Sequence, residues 1–293
     1  MLRCFVLALM FAASGCSTAV NAPVGPLRIA AWNIEHLAED GATGCRPRTE
    51  AEYAALRAYV DNLDADVVAF QEVESAAAAQ RVFDPARYNI VIEERPGSAR
   101  RSECYGRAGQ FLNRQAVGFA IRRGIPFERL PDVTALQLGD PDLRSGVDLR
   151  LSPPGQTPIR LLAVHLKSAC PSGTSAEACA TLLGQVPVLE AWIDARAAAG
   201  ERFAVLGDFN RRLALPDDHV WTDLNDGQPA PIVLAAGQQP PACNPRFNTF
   251  IDHIIMADTD AGLGLREWVF EGEQRLSDHC AISVDLTGAS RAP

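Results

Sequence analysis

Apolar runs in this chain are short, and most of them end on a cluster of polar residues. Leu27 to Trp32, Val67 to Phe70, Tyr88 to Ile92, Ala116 to Ile121, Ile159 to His165, Phe203 to Leu206, Phe250 to Met256 and Ala281 to Leu286 each read as a strand. Two stretches carry helical spacing instead. Thr49-Glu50-Ala51-Glu52 is a capping-box signature, and Tyr53, Leu56, Tyr59, Val60 and Leu63 follow along one apolar face. A longer helix is predicted from about 178 to 199, with Leu182, Val186, Leu189 and Ile193 in register. Pro187 should start, kink or interrupt it, and Gly200 suits its C-terminal end.

Strands alternating with helices, among several hairpin-like segments, predict a mixed sheet or a pair of sheets flanked by helices. No linker breaks 27–287, so that span is expected to form one catalytic domain, with 17–26 as a Pro-containing tether and 288–293 as a tail. The polar clusters fall just past the strand ends, where layered α/β folds place their ligands.

Composition narrows the partners. The chain has 293 residues, 47% of them hydrophobic, which is enough for a large core. A net charge of −9 argues against a simple basic nucleic-acid binder. The densest cationic stretch holds Arg95, Arg100, Arg101, Arg107 and Arg114. It reads either as a phosphate-facing loop or as solvated surface.

The N-terminus reads as a signal segment. Arg3 precedes an apolar run from Cys4 to Ala13, too short for a stable transmembrane helix, and Ala13-Ser14-Gly15-Cys16 follows. Small residues before Cys16 resemble a bacterial lipoprotein processing site. Ala13, where that pattern prefers Leu, keeps ordinary signal-peptidase cleavage open. Residues 1–16 are therefore expected to direct export to the cell envelope or beyond, with attachment through a lipidated Cys16.

Export makes disulfides plausible among Cys45, Cys104, Cys170, Cys179, Cys243 and Cys280. Cys170 with Cys179 is the first candidate pair, and Cys45 with Cys104 the second. Cys280 lies in an apolar strand pattern and reads as a free buried thiol. The chain has no C-x-x-C, which disfavours a zinc site.

Six polar clusters follow apolar strands: Asn33-Ile34-Glu35-His36, Gln71-Glu72, His165-Leu166-Lys167-Ser168, Gly207-Asp208-Phe209-Asn210, Asp252-His253 and Ser277-Asp278-His279. Their order and spacing across 27–287 resemble the endonuclease/exonuclease/phosphatase superfamily, which includes deoxyribonuclease I and exonuclease III. The resemblance implies a four-layer αββα sandwich of two mixed sheets flanked by helices. It also implies a metal-dependent phosphoesterase with the site at one end of the sheets.

The resemblance assigns roles that phosphoester chemistry requires: charge neutralised on the nonbridging oxygens, an activated water and help for the leaving oxygen. Glu72, Asp278 and Asn33 are expected around Mg2+, with Mn2+ or Ca2+ as alternatives. Asp278 suits either ligation or positioning of water. His279 is expected to act as general base, with Asp252 orienting its ring. His165 would donate to the phosphate or leaving group, Asp208 would orient the nucleophile or protonate the leaving group, and Asn210 would bond the scissile phosphate. Deoxyribonuclease I-like members pair the His165 equivalent with a glutamate. Gln115 stands at that position here and cannot supply the negative charge. His36 and His219 read as peripheral, while Glu35 and Glu74 have the wrong strand parity for the site.

The favoured substrate is nucleic acid, DNA or RNA, cleaved by a monomeric enzyme. A phosphatase or a sphingomyelinase-like phospholipase acting on a lipid or sugar phosphate is the alternative. A non-catalytic binding lipoprotein on the same fold is the third reading. Fold does not choose between them.

Overall fold

The computed structural model describes residues 25–97, 102–257, 263–271 and 275–287. The signal segment with Cys16, most of the tether, Arg100, Arg101 and the tail lie outside the described residues.

Two six-stranded sheets form the body. The first contains β1 (Leu27–Leu37), β2 (Val67–Val73), β3 (Tyr88–Ile92), β6 (Ala116–Arg122), β13 (Arg266–Trp268) and β14 (Ala281–Leu286), in the order β13-β14-β1-β2-β6-β3. The second contains β7 (Phe127–Arg129), β8 (Val147–Leu151), β9 (Ile159–His165), β10 (Phe203–Asp208), β11 (Ile232–Leu234) and β12 (Asp252–Ala257), in the order β11-β12-β10-β9-β8-β7. A small hairpin, β4 (Glu103–Cys104) with β5 (Arg107–Phe111), stands apart.

Strand alternation sends each sheet's two faces into different cores. Ile29, Ala31, Val67 and Ala69 of the first sheet meet Leu161, Ala163, Leu206 and Ile254 of the second. Ala30, Trp32, Val68 and Phe70 face outward instead, beneath α1 (Glu50–Leu63) and α2 (Ala76–Gln80). Leu162, Val164, Phe203 and Val205 pack beneath α3 (Glu177–Ala198) and α4 (His219–Leu224). The order is helix, sheet, sheet, helix: the αββα sandwich.

Local signals account for the helices. At the start of α1 the Thr49 side chain accepts from the Glu52 N–H while the Glu52 side chain accepts from the Thr49 N–H. Helix α3 continues through Pro187 without ending, held by Leu182, Val186, Leu189 and Ile193 against the second sheet. It stops at Ala199, and Gly200 takes a left-handed φ of 64° just beyond.

Strand β8 is the main element absent from the sequence reading. Asp148 and Arg150 make its segment look like a polar loop. Asp148 is nevertheless buried, 2.6 Å from Arg160 Nη2 and 2.8 Å from the Trp192 indole nitrogen. A buried charge is tolerable with such partners.

Three disulfides close the described chain. Cys45–Cys104 and Cys170–Cys179 match the expected pairs. Cys280 is not a free thiol, because it is bonded to Cys243. The segment around Cys243 folds back against the start of β14, with the Cys243 N–H donating to Glu267. Disulfides on this scale suit an oxidising environment. No helix among the described residues is long and apolar enough to cross a membrane.

Candidate active site

Strand directions bring the polar clusters to one end of the sandwich. Strands β1 and β2 run parallel, as do β9 and β10, so Asn33, Glu72, His165 and Asp208 all lie towards carboxyl ends. Strand β12 runs antiparallel to β10 with Asp252 opposite Asp208, and β14 runs antiparallel to β1. The beginnings of β12 and β14 therefore reach the same end and carry Asp252 and His279 there.

Parity then selects the side chains. Asn33, His165, Asp208 and Asp252 continue the inward-facing series of Ala31, Ala163, Leu206 and Ile254. Their alternate neighbours point away: His253 is buried against Phe209 on the outer face, and its Nε2 lies 2.8 Å from the Arg211 carbonyl. Glu72 does not follow the inward series by simple alternation. Its φ is 60°, and the β1–β2 register shifts there. Glu35, His36 and Asn210 also have positive φ, so left-handed backbone gathers at this end. Such conformations concentrate where function over-determines the backbone.

The side chains form a connected line across both sheets. His279 Nδ1 is 2.7 Å from Asp252 Oδ2, while His279 Nε2 faces Asp208 Oδ2 at 3.8 Å and Asp278 Oδ1 at 3.9 Å. Asn33 Nδ2 donates to Asp208 Oδ2 at 3.1 Å. His165 Nε2 is 3.6 Å from Asp208 Oδ2 and 3.9 Å from Glu72 Oε1. The Asn210 N–H donates to Asp208 Oδ1 at 2.8 Å. All eight expected residues thus meet in one place, although Asn210's amide group turns back to donate to the Leu166 carbonyl.

Supporting contacts fix this line. Ser277 Oγ donates to the Asn33 carbonyl at 2.7 Å and accepts from the His279 N–H at 3.1 Å. The Trp32 indole donates to the His279 carbonyl. Buried Arg48 donates to the Ile34, Glu35, His36 and Leu276 carbonyls, tying the end of β1 to the segment before Ser277. Burial pushes its pKa down to about 10, which leaves it charged at neutral pH. Gly207 has a φ of 146°, and a Cβ there would lie 2.0 Å from the Val164 carbonyl oxygen. Only glycine lets β10 reach Asp208 so close to β9.

Electrostatics separate the two histidines. At His279 burial opposes the charged ring, but Asp252, Asp208 and Asp278 outweigh it and hold the pKa well above the ordinary value. At His165 burial, reinforced by Arg144, holds the pKa well below it. Burial also raises Asp208, with the Asp252 charge adding to the effect and His279 opposing it.

Several sequence expectations change. Gln115 does not face His165; its Nε2 lies 3.3 Å from His36 Nδ1. His36 is not peripheral: its ring Nδ1 lies 3.3 Å from Glu72 Oε2, and its backbone N–H donates to the same oxygen at 3.1 Å. Arg95 is no phosphate-facing side chain: it is buried in an ion pair with Glu93 at 2.9 Å. Arg114 donates to the Glu93 carbonyl, whereas Arg107 is exposed. Glu35 is held by Arg46 and Arg275. Arg144, which no motif signalled, reaches the site's edge with Nη2 on the Leu166 carbonyl and a buried Nε that has no partner among the described residues.

This donor set fits a hard divalent cation. Carboxylate oxygens predominate, and buried Asp252 Oδ1 has no hydrogen-bond partner among the described residues. One ligand atom each from Asp208, Asp252 and His279 lie within 4.8 Å of one another. Glu72 and Asp278 flank that group through their contacts with His165 and His279.

Solved structures share the architecture. The catalytic domain of human Nocturnin superposes with a TM-score of 0.61 at 18% identity, covering 89% of this chain and 93% of that one. Truncated TDP2 from Caenorhabditis elegans gives 0.59 at 17% identity, with coverages of 88% and 96%. An endonuclease/exonuclease/phosphatase from Bacteroides vulgatus gives 0.59 at 13%, with coverages of 89% and 98%. At these identities the likeness concerns the fold. No curated protein sequence matches the chain. Residues 30–279 match the model of the Endonuclease/Exonuclease/phosphatase family, and a match over that span makes this chain a member of it.

Proposed function

We propose that this hydrolase is an exported, metal-dependent phosphodiesterase that cleaves nucleic acid, with one catalytic domain over 27–287 and the monomer as its working unit. The observation that carries the reading is the His279–Asp252 pair, with His279 Nε2 directed at Asp208 and Asp278.

Neutral His279 carries its proton on Nδ1, donated to Asp252, so the Nε2 lone pair is available to take a proton from water. The surrounding carboxylates hold its pKa above that of a free imidazole, so the neutral ring that can accept a proton is populated towards alkaline pH. His165 stays neutral and can donate from Nε2 to a phosphate oxygen. Asp208 holds a proton to higher pH than a surface carboxylate, which suits transfer to the leaving oxygen. Asn210 and Arg144 supply further donors at the rim.

Glu72, Asp278 and Asn33 are the residues proposed to hold Mg2+, with Mn2+ or Ca2+ as substitutes; Asn33 would do so while steadying Asp208. The ion would neutralise charge on the nonbridging oxygens. The signal segment and three disulfides support export to the bacterial envelope, with lipidated Cys16 as the membrane attachment.

Purified protein should be assayed with each ion, or with EDTA, against plasmid DNA, RNA, sphingomyelin, bis-p-nitrophenyl phosphate and p-nitrophenyl phosphate. Metal-dependent nicking that disappears in His279→Ala is the expected result. Brisk monoester hydrolysis without diester cleavage would overturn the proposal.

A further inference from the structure

A cavity of about 410 Å³ opens beside His279 and Asp252. Its wall carries Phe247, a large aromatic residue that is 40% exposed. Arg212 lies 4.4 Å from the Phe247 ring centre, and Arg246 lies 5.5 Å from it. Both arginines line the same cavity. Thr249, only 6% exposed, adds a hydroxyl with no hydrogen-bond partner among the described residues. Cys243, bonded to Cys280, ties this wall to the residue after His279.

Each feature matches part of a nucleotide. A planar aromatic face with guanidinium groups around it suits base stacking and cation–π contact. The arginines also suit an adjoining phosphate. The unpaired Thr249 hydroxyl can meet a polar edge of the base. The cavity is concave and adjoins the proposed base, so its occupant must be a single base turned out of any stack. A base held in a duplex cannot enter without unpairing.

We propose that the cavity walled by Phe247, Arg212, Arg246 and Thr249 is a nucleobase subsite that holds one unstacked base beside the scissile phosphate, giving the enzyme a preference for single-stranded nucleic acid. The inference rests on the phosphodiesterase reading of the neighbouring site. The net charge of −9 is consistent with it, because gripping a duplex backbone calls for an extended basic surface.

The test uses the folded protein with Mg2+ and His279→Ala to block turnover. Fluorescence anisotropy would measure binding of a labelled ten-residue oligothymidylate, the same strand in duplex, and oligouridylate. Adding Phe247→Ala should weaken single-strand binding about tenfold, the scale of one lost base stack, and Phe247→Trp should restore it. In the His279-containing enzyme, Phe247→Ala should raise the KM for oligothymidylate far more than that for methyl p-nitrophenyl phosphate, which has no base. Equal loss on both substrates, no loss on either, or tighter duplex than single-strand binding would overturn the subsite. Oligonucleotide cleavage unaffected by Phe247→Ala would remove the subsite and leave the nuclease reading standing. Hydrolysis of methyl p-nitrophenyl phosphate with neither cleavage nor binding of DNA or RNA would remove the nucleic-acid reading itself.

Discussion

His279 and Asp252 approach to 2.7 Å although they belong to different sheets, one preceding β14 and the other opening β12. The pair therefore reports on how the sheets are packed as well as on chemistry. Asp252→Asn should leave the fold intact and lower kcat by roughly 10²–10⁴, because the amide can present its N–H and favour the wrong ring tautomer. His279→Ala should lose a similar factor, with circular dichroism and Tm near wild type. A fall in Tm comparable to a core truncation would make the pair structural.

Metal removal distinguishes two ligand sets. With Glu72 as a ligand, Glu72→Gln should weaken Mg2+ or Mn2+ binding by about 10- to 100-fold in calorimetry, and excess ion should partly rescue activity. If Glu72→Gln binds metal normally while Asp208→Asn does not, the ion belongs instead with the close group of Asp208, Asp252 and His279.

Buried His253 makes stability depend on pH. Burial pushes its pKa down to about 4, below the ordinary value of 6.5. The fold therefore favours the neutral ring, a contribution fully present above pH 6.5 and lost as pH falls towards 4. At about 1.4 kcal/mol per pKa unit, this amounts to on the order of 3 kcal/mol. Urea midpoints measured between pH 7 and 4 should fall more steeply in wild type than in His253→Gln.

The Cys243–Cys280 bond closes a loop with a sequence separation of 37. Replacing both cysteines with serine should cost about 2–4 kcal/mol of stability by restoring freedom to the unfolded chain. Because the bond reaches the residue after His279, activity should fall even at temperatures where the variant stays folded. Denaturant midpoints and kcat measured together will show whether the two losses separate.

At Gly207, alanine would drive its Cβ into the Val164 carbonyl. A shift of β10 against β9 should follow, costing on the order of 3 kcal/mol. The expected readout is a Tm lower by about 5–10 °C, with activity reduced through displacement of Asp208.

Much of this protein was legible in its sequence. Short apolar runs located the strands at 88–92, 159–165 and 281–286 to the residue, and Thr49 with Glu52 marked the start of α1. Asp252 and His253 are adjacent in a strand, and alternation by itself sends them to opposite faces. The eight expected site residues came from polar clusters at strand ends, chosen through the resemblance of their order and spacing to the endonuclease/exonuclease/phosphatase superfamily. Other features depended on partners distant in sequence. Strand β8 needed Arg160 and Trp192 to bury Asp148. Cys280 needed Cys243 brought back across the sheet. Gln115 was drawn to His36, and Glu72 turned into the site, through left-handed backbone at the ends of β1 and β2. Hydrophobic periodicity fixes which face of a strand is buried, but it carries no information about which distant strand supplies the neighbour. Packing of the two sheets decided that, and with it the meeting of Asp252 and His279.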